Sequence, residues 1–143
     1  MNIRDLYSDI ILKHYQNSSN KGVLNNATDE REGANLSCGD ELKIFMNIIE
    51  NNTIEDISFE GNGCAISISS ASVMTEILKG KDLKQANDII NNFIKMLKDE
   101  NYNGEILGDA VIFESVKQFP VRIKCASLAW HTAKEIIENK KNR

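Results

Sequence analysis

Apolar residues recur along the chain with two different periods. Ile3, Leu6, Tyr7, Ile10 and Ile11 follow the three-and-four spacing of one helix face, which predicts an amphipathic helix over residues 3–15. Residues 17–37 are rich in Asn, Ser, Gly and charge, show no apolar period and read as a loop. The period then becomes two. Leu42, Ile44, Met46 and Ile48 alternate with polar neighbours over 41–50 and predict a strand. Asn51-Asn52 supplies a turn, because Asn tolerates the left-handed region. Ile54, Ile57 and Phe59 predict a second strand, which Gly61-Asn62-Gly63 breaks, and Ile66 with Ile68 predict a short third one.

The rest reads as helical. Residues 69–79 begin with serines suited to capping and stop at Gly80. Leu83, Ala86, Ile90, Phe93, Ile94 and Leu97 form a second stripe. Residues 99–108 are a polar loop, and Val111, Ile112, Val116 and Phe119 suggest a short helix. Pro120, the only proline, fits the first turn of a last helix running to about residue 139. The expected fold class is therefore α+β, a three-stranded antiparallel sheet packed by about five helices.

With 143 residues the chain is expected to form one domain, 1–143, large enough for a real core. Its 41% hydrophobic and 27% charged content is ordinary for a soluble protein. A net charge of −4 without a long basic run excludes nucleic acid as the expected partner. No apolar run reaches the roughly 18 residues that span a bilayer. The N-terminus lacks an apolar signal core, so the expectation is a cytoplasmic location with no membrane association. Reducing conditions there, and an odd cysteine count, argue against a disulfide framework.

The candidate chemistry lies in Cys38, Cys64 and Cys125 and in the tripeptide Cys38-Gly39-Asp40. Three thiols and one carboxylate are four candidate donors, the number a tetrahedral zinc site takes, and zinc accepts both sulfur and oxygen. Gly39 allows the tight turn that points Cys38 and Asp40 the same way. Cys38 precedes the first predicted strand and Cys64 follows the second, so an antiparallel pairing puts both at one end of the sheet. Cys125 falls in the first turns of the last helix, where the macrodipole favours a thiolate. Four anionic ligands on a divalent ion would make an electron-rich site whose thiolate can act as a nucleophile. There is no CxxC pair, and spacing alone leaves open a second reading, three unrelated buried thiols. His14 reads as a surface or capping residue. His131 does not share a helical face with Cys125 and is a weak ligand candidate. Trp130 and Phe119 read as core or rim.

The chain resembles the SufU-like branch of the IscU/NifU N-terminal iron–sulfur cluster assembly scaffold family. The residues that carry the resemblance are Asp5-Leu6-Tyr7, His14-Tyr15 with Asn20-Lys21-Gly22, Cys38-Gly39-Asp40, Gly61 to Ser67, and Pro120 to Ala126. Two features favour that branch: Lys124 stands where IscU-type scaffolds have a histidine, and the interval from Cys64 to Cys125 is lengthened in the region 80–110. Asn17-Ser18-Ser19-Asn20 lacks a proline often found there. The resemblance implies a SufE/NifU-like fold and zinc held by Cys38, Asp40, Cys64 and Cys125. It implies a sulfurtransferase that takes sulfane sulfur from a PLP-dependent cysteine desulfurase of the SufS type, with Cys38 as the acceptor and catalytic residue. The sulfur would pass to downstream cluster assembly proteins. The alternative is a scaffold that binds a [2Fe–2S] cluster on the same ligands. Arg122, one turn before Cys125, is implied to contact or steady the site.

Overall fold

The computed structural model describes residues 8–141. Of the predicted first helix, Ile3, Leu6 and Tyr7 lie outside the described residues, as does Asp5 of the resemblance. Within them, α1 spans Asp9–Gln16, capped by Ser8, whose hydroxyl accepts the Ile11 N–H at 3.4 Å. Its inward face carries Ile11 and His14. His14 is buried, not a surface cap as its sequence position suggested, and its Nδ1 lies 2.7 Å from Ser72 Oγ.

Three antiparallel strands follow in the order β1-β2-β3: β1 Asp29–Asn35, β2 Asp40–Ile49 and β3 Thr53–Asn62. The sheet is three-stranded as expected, but one strand is different. β2 and β3 are the first two predicted strands, joined through Asn51 (φ 74) and Asn52 (φ 56) as the turn residues implied. β1 lies in the stretch read as loop. Its sequence DEREGAN holds almost nothing apolar, because it is an edge strand docked through other means. Asp29 and Arg31 pair with Lys140 and Glu135 of the last helix. Gly33 lies so close to that helix that a Cβ there would stand 2.1 Å from Thr132 Oγ1. Leu42, Ile44, Met46 and Ile48 of β2 are buried, as their alternation required.

The predicted third strand is helical. Cys64 is the N-cap of α2, Ala65–Leu78, whose side chains are buried on nearly every side from Ile66 to Thr75. A helix with no wet face has no amphipathic stripe, so Ile66 and Ile68 imitate a strand. Its serines are not the helix cap either, because the helix already begins at Ala65. Ser67 and Ser69 hydroxyls donate to the carbonyls of Cys64 and Ile66, and Ser70 and Ser72 bond to neighbouring elements. α3, Leu83–Leu97, opens with a capping box between Asp82 and Gln85 and buries the predicted stripe.

Between α3 and the last helix runs a 3₁₀ stretch, Gly104–Gln118, interrupted at Gly108. Leu107, Ala110, Phe113 and Val116 are its buried residues, one every third position. That spacing matches three residues per turn, so the short helix expected here is a longer 3₁₀ path. α4 spans Pro120–Lys141 and crosses the sheet. Trp130 is fully buried, stacks on Phe93 (3.9 Å between centroids) and donates its Nε1–H to Ser70 Oγ at 2.9 Å. Ser70 in turn donates to the Ala126 carbonyl at 2.6 Å, which fixes the α4 turn that carries Cys125. Among the described residues no helix is long and apolar enough to cross a membrane.

Candidate metal centre

Asn35 and Asp40 are the last paired residues of the β1–β2 hairpin, and the loop between them, 36–39, carries Cys38. Gly39 sits at φ 71, a left-handed position that costs a glycine little, and lets the chain re-enter β2 within one residue of Cys38. Cys38 is half-buried; its N–H donates to the Asn35 carbonyl at 3.2 Å. Asp40 begins β2 facing inward and is fully buried. Its Oδ1 accepts the Cys64 backbone N–H at 3.0 Å, whereas Oδ2 is buried without a hydrogen-bond partner. Cys125 arrives from α4, fully buried, with its thiol donating to Cys38 Sγ at 3.2 Å and within 3.5 Å of the Val121 carbonyl.

The structure thus gathers three of the four predicted donors: the ligand atoms of Cys38, Asp40 and Cys125 all lie within 4.8 Å of one another. The Cys64 thiol is not in that tight group. Cys64 borders it through the N–H bond to Asp40, and its charge adds to the forces on Cys125. The two histidines stand elsewhere: His14 is buried between α1 and α2, and His131 is exposed on α4. Arg122 is half-buried and lines, with Cys38, Gln118, Phe119, Pro120 and Val121, a cavity of about 520 Å³.

Burial pushes the Cys125 thiol well up from its ordinary pKa, with the Cys38 thiol and the Cys64 charge acting the same way. A buried carboxylate oxygen with no donor beside it is costly. The Asp40 carboxylate beside Cys125 adds to the cost of ionising that thiol. Among the described residues no cationic side chain pairs with Asp40. A divalent cation would satisfy the orphaned Oδ2 and neutralise both thiolates at once, and a mixed sulfur and oxygen donor set suits zinc. The residues present fit such an ion.

Reasoning from sequence missed Asn35 and Gly63. Asn35 Nδ2 lies 3.8 Å from Cys125 Sγ. Gly63 leaves room for the carboxylate: a Cβ there would lie 2.9 Å from Asp40 Oδ1 and 2.2 Å from Ser67 Oγ. Glycine before a helix cap was visible in the sequence but read only as a strand breaker; nothing local marked Asn35.

The model of the NifU-like N terminal domain matches residues 6–126. The chain belongs to that family. Among relatives of this NifU-like domain, the zinc-dependent sulfurtransferase SufU of Bacillus subtilis (strain 168) is 42% identical over 130 residues, covering 90% of this chain and 87% of that protein. The iron–sulfur cluster assembly scaffold protein IscU of Thermotoga maritima is 36% identical over 133 residues, with 93% of each chain covered. A solved structure from Fervidobacterium islandicum AW-1, described as an iron–sulfur cluster assembly scaffold protein for the SUF system, superposes with a TM-score of 0.86. It is 33% identical and the match covers 95% of this chain and 99% of that one. The NifU-like N-terminal domain from Brucella abortus, at 20% identity and a TM-score of 0.89, shares the fold.

Proposed function

We propose that this NifU-like domain is a zinc-dependent sulfurtransferase that accepts sulfane sulfur from a SufS-type, PLP-dependent cysteine desulfurase for iron–sulfur cluster biogenesis. The observation that carries the reading is the meeting of Cys38 with Cys125, 3.2 Å apart, beside the orphaned Asp40 oxygen. Cys38, Asp40, Cys64 and Cys125 would hold the zinc. When bound, the ion keeps the thiols in their thiolate form at neutral pH and covers them against oxidants.

The chain's own residues divide the work. Cys125 and Asp40 are fully buried on regular structure and hold position. Cys38 stands on a hairpin loop, half-buried, beside an open cavity, and is the acceptor. Its thiolate attacks the outer sulfur of a persulfide carried on the desulfurase. The new S–S bond forms on Cys38 as the donor's S–S bond breaks. The electron pair of the broken bond leaves with the donor's inner sulfur as a thiolate, and the outer sulfur keeps its proton. No net oxidation occurs. The cavity bounded by Phe119, Pro120, Val121 and Arg122 gives the incoming persulfide its path.

The test is mass-spectrometric mapping after incubation with a SufS-type desulfurase, PLP and cysteine. A gain of one sulfur atom on Cys38, absent in Cys38→Ser, is expected. An adduct confined to Cys64 or Cys125 would overturn the assignment. The scaffold relatives support a second reading, a [2Fe–2S] cluster on the same ligands. A coloured protein with visible absorbance after aerobic purification would favour it, and colourless protein with zinc in equal amount favours sulfur transfer.

A further inference from the structure

Asn35 meets all three gathered donors. It ends β1, is 8% exposed, and pairs across the hairpin with Asp40. Its carbonyl accepts the Cys38 N–H at 3.2 Å, and its amide Nδ2 lies 3.8 Å from Cys125 Sγ. One side of the residue therefore holds the backbone of the loop that carries Cys38, and the other donates to the sulfur of Cys125.

This asymmetry has a chemical meaning. Cys38 and Cys125 carry the same functional group within contact distance, so chemistry alone does not decide which one receives the incoming sulfur. An N–H directed at a thiolate withdraws electron density from it and lowers its nucleophilicity, and hydrogen bonds to charged groups are the stronger kind. Cys125 receives the Asn35 amide. Cys38 receives only the thiol of Cys125. Burial of Asn35 and Cys125 keeps water from substituting for the amide.

We infer that Asn35 is a positioning residue that sets the site of sulfur transfer: by donating to Cys125 it quiets that thiolate and leaves Cys38 as the acceptor. The inference rests on the sulfur-transfer reading above. It names the residue that selects between two thiols within that reading.

The experiment uses the zinc-loaded full chain, Asn35→Leu and Asn35→Asp, with folding checked by circular dichroism. Leucine keeps the volume without a donor or a charge; aspartate keeps the shape without the donor. Each protein is incubated with a SufS-type desulfurase, PLP and cysteine, and the extra sulfur is mapped. In the wild type it is expected on Cys38. In both variants the Cys38-to-Cys125 ratio should fall by about tenfold, the size of one hydrogen bond to a charged group. A second readout needs no desulfurase. In cobalt-substituted protein the thiolate-to-metal absorption band should move to longer wavelength in Asn35→Leu, because the sulfur regains electron density. A role confined to holding the hairpin would leave that band in place. Unchanged selectivity with an unchanged band overturns the inference. If the wild type acquires no sulfur at all, the sulfur-transfer reading falls, and the cobalt band alone decides whether the Asn35 bond to Cys125 exists.

Discussion

The backbone N–H of Cys64 donates to Oδ1 of Asp40 at 3.0 Å, and the other oxygen of that buried carboxylate is left without a partner. One carboxylate thus ties the start of β2 to the N-terminus of α2, keeps one oxygen unpaired, and lies within reach of Cys38 and Cys125. The amide bond orients the carboxylate before any ion arrives. The positive end of α2 lies behind it and favours a site rich in negative charge.

Asp40→Asn should separate these two roles. Asparagine can still accept the Cys64 N–H, so the secondary structure should persist, but the neutral oxygen is a weaker ligand. Zinc should transfer to a competing chelator faster than from the wild type. Asp40→Ala, which loses both roles, should also lose stability, by about 1 kcal/mol for the missing hydrogen bond. Equal zinc off-rates in wild type and Asp40→Asn would remove Asp40 from the ligand set.

Removing zinc should lower the melting temperature. A ligand bound only by the native state adds about 2.7 kcal/mol when its free concentration is 100 times Kd, which for a chain of this size is on the order of 10 °C. Calorimetry before and after chelation, with metal loss verified, measures the difference. An unchanged transition would mean that the gathered donors hold no ion that matters to folding.

Gly63→Ala should damage the centre without touching a donor. The new methyl would sit 2.2 Å from Ser67 Oγ and 2.9 Å from Asp40 Oδ1. Displacing either costs about 1–3 kcal/mol and turns the carboxylate. Adding Ser67→Ala removes the nearer clash, so the double variant should regain part of the stability while zinc affinity stays low. Equilibrium unfolding in urea and zinc competition resolve the two effects.

Ser70→Ala should loosen α4 where it carries Cys125. Ser70 Oγ donates to the Ala126 carbonyl at 2.6 Å and accepts the Trp130 indole N–H at 2.9 Å. Truncation leaves a buried indole N–H unpaired, at a cost of about 1–3 kcal/mol. Urea midpoints for Ser70→Ala should fall accordingly. A midpoint equal to wild type would show that the indole finds another acceptor.

The placement of Cys38 and Cys64 at one end of the sheet was legible because it needs only the β2–β3 pair, whose alternating apolar residues and Asn51-Asn52 turn are plain in the sequence. β1 was not legible. Its contacts are made by Gly33, Arg31 and Asp29 against α4, and a charged edge strand carries no hydrophobic period. α2 was misread at its start for the opposite reason, since a helix buried all round alternates with nothing. The 3₁₀ stretch did carry its signal, in Leu107, Ala110, Phe113 and Val116, but the spacing of three lies between the two periods usually sought. Of the gathered donors, Cys38, Asp40 and Cys125 announce themselves by residue type. Asn35 does not, because its role depends on where α4 packs.

The wholly enclosed α2 has a consequence for the order of assembly. A helix without a wet side gains little until sheet and helices close round it, and Cys64 is its N-cap. Cys38 and Cys125, 87 positions apart, meet across the same closure. Long loops of this kind close late. A nascent or half-collapsed chain therefore holds its thiols apart, and only a finished one presents them together. Metal uptake becomes a report on completed folding: in stopped-flow refolding, the cobalt absorbance should lag behind the helical signal, and simultaneous growth would show that the donors meet before the core does.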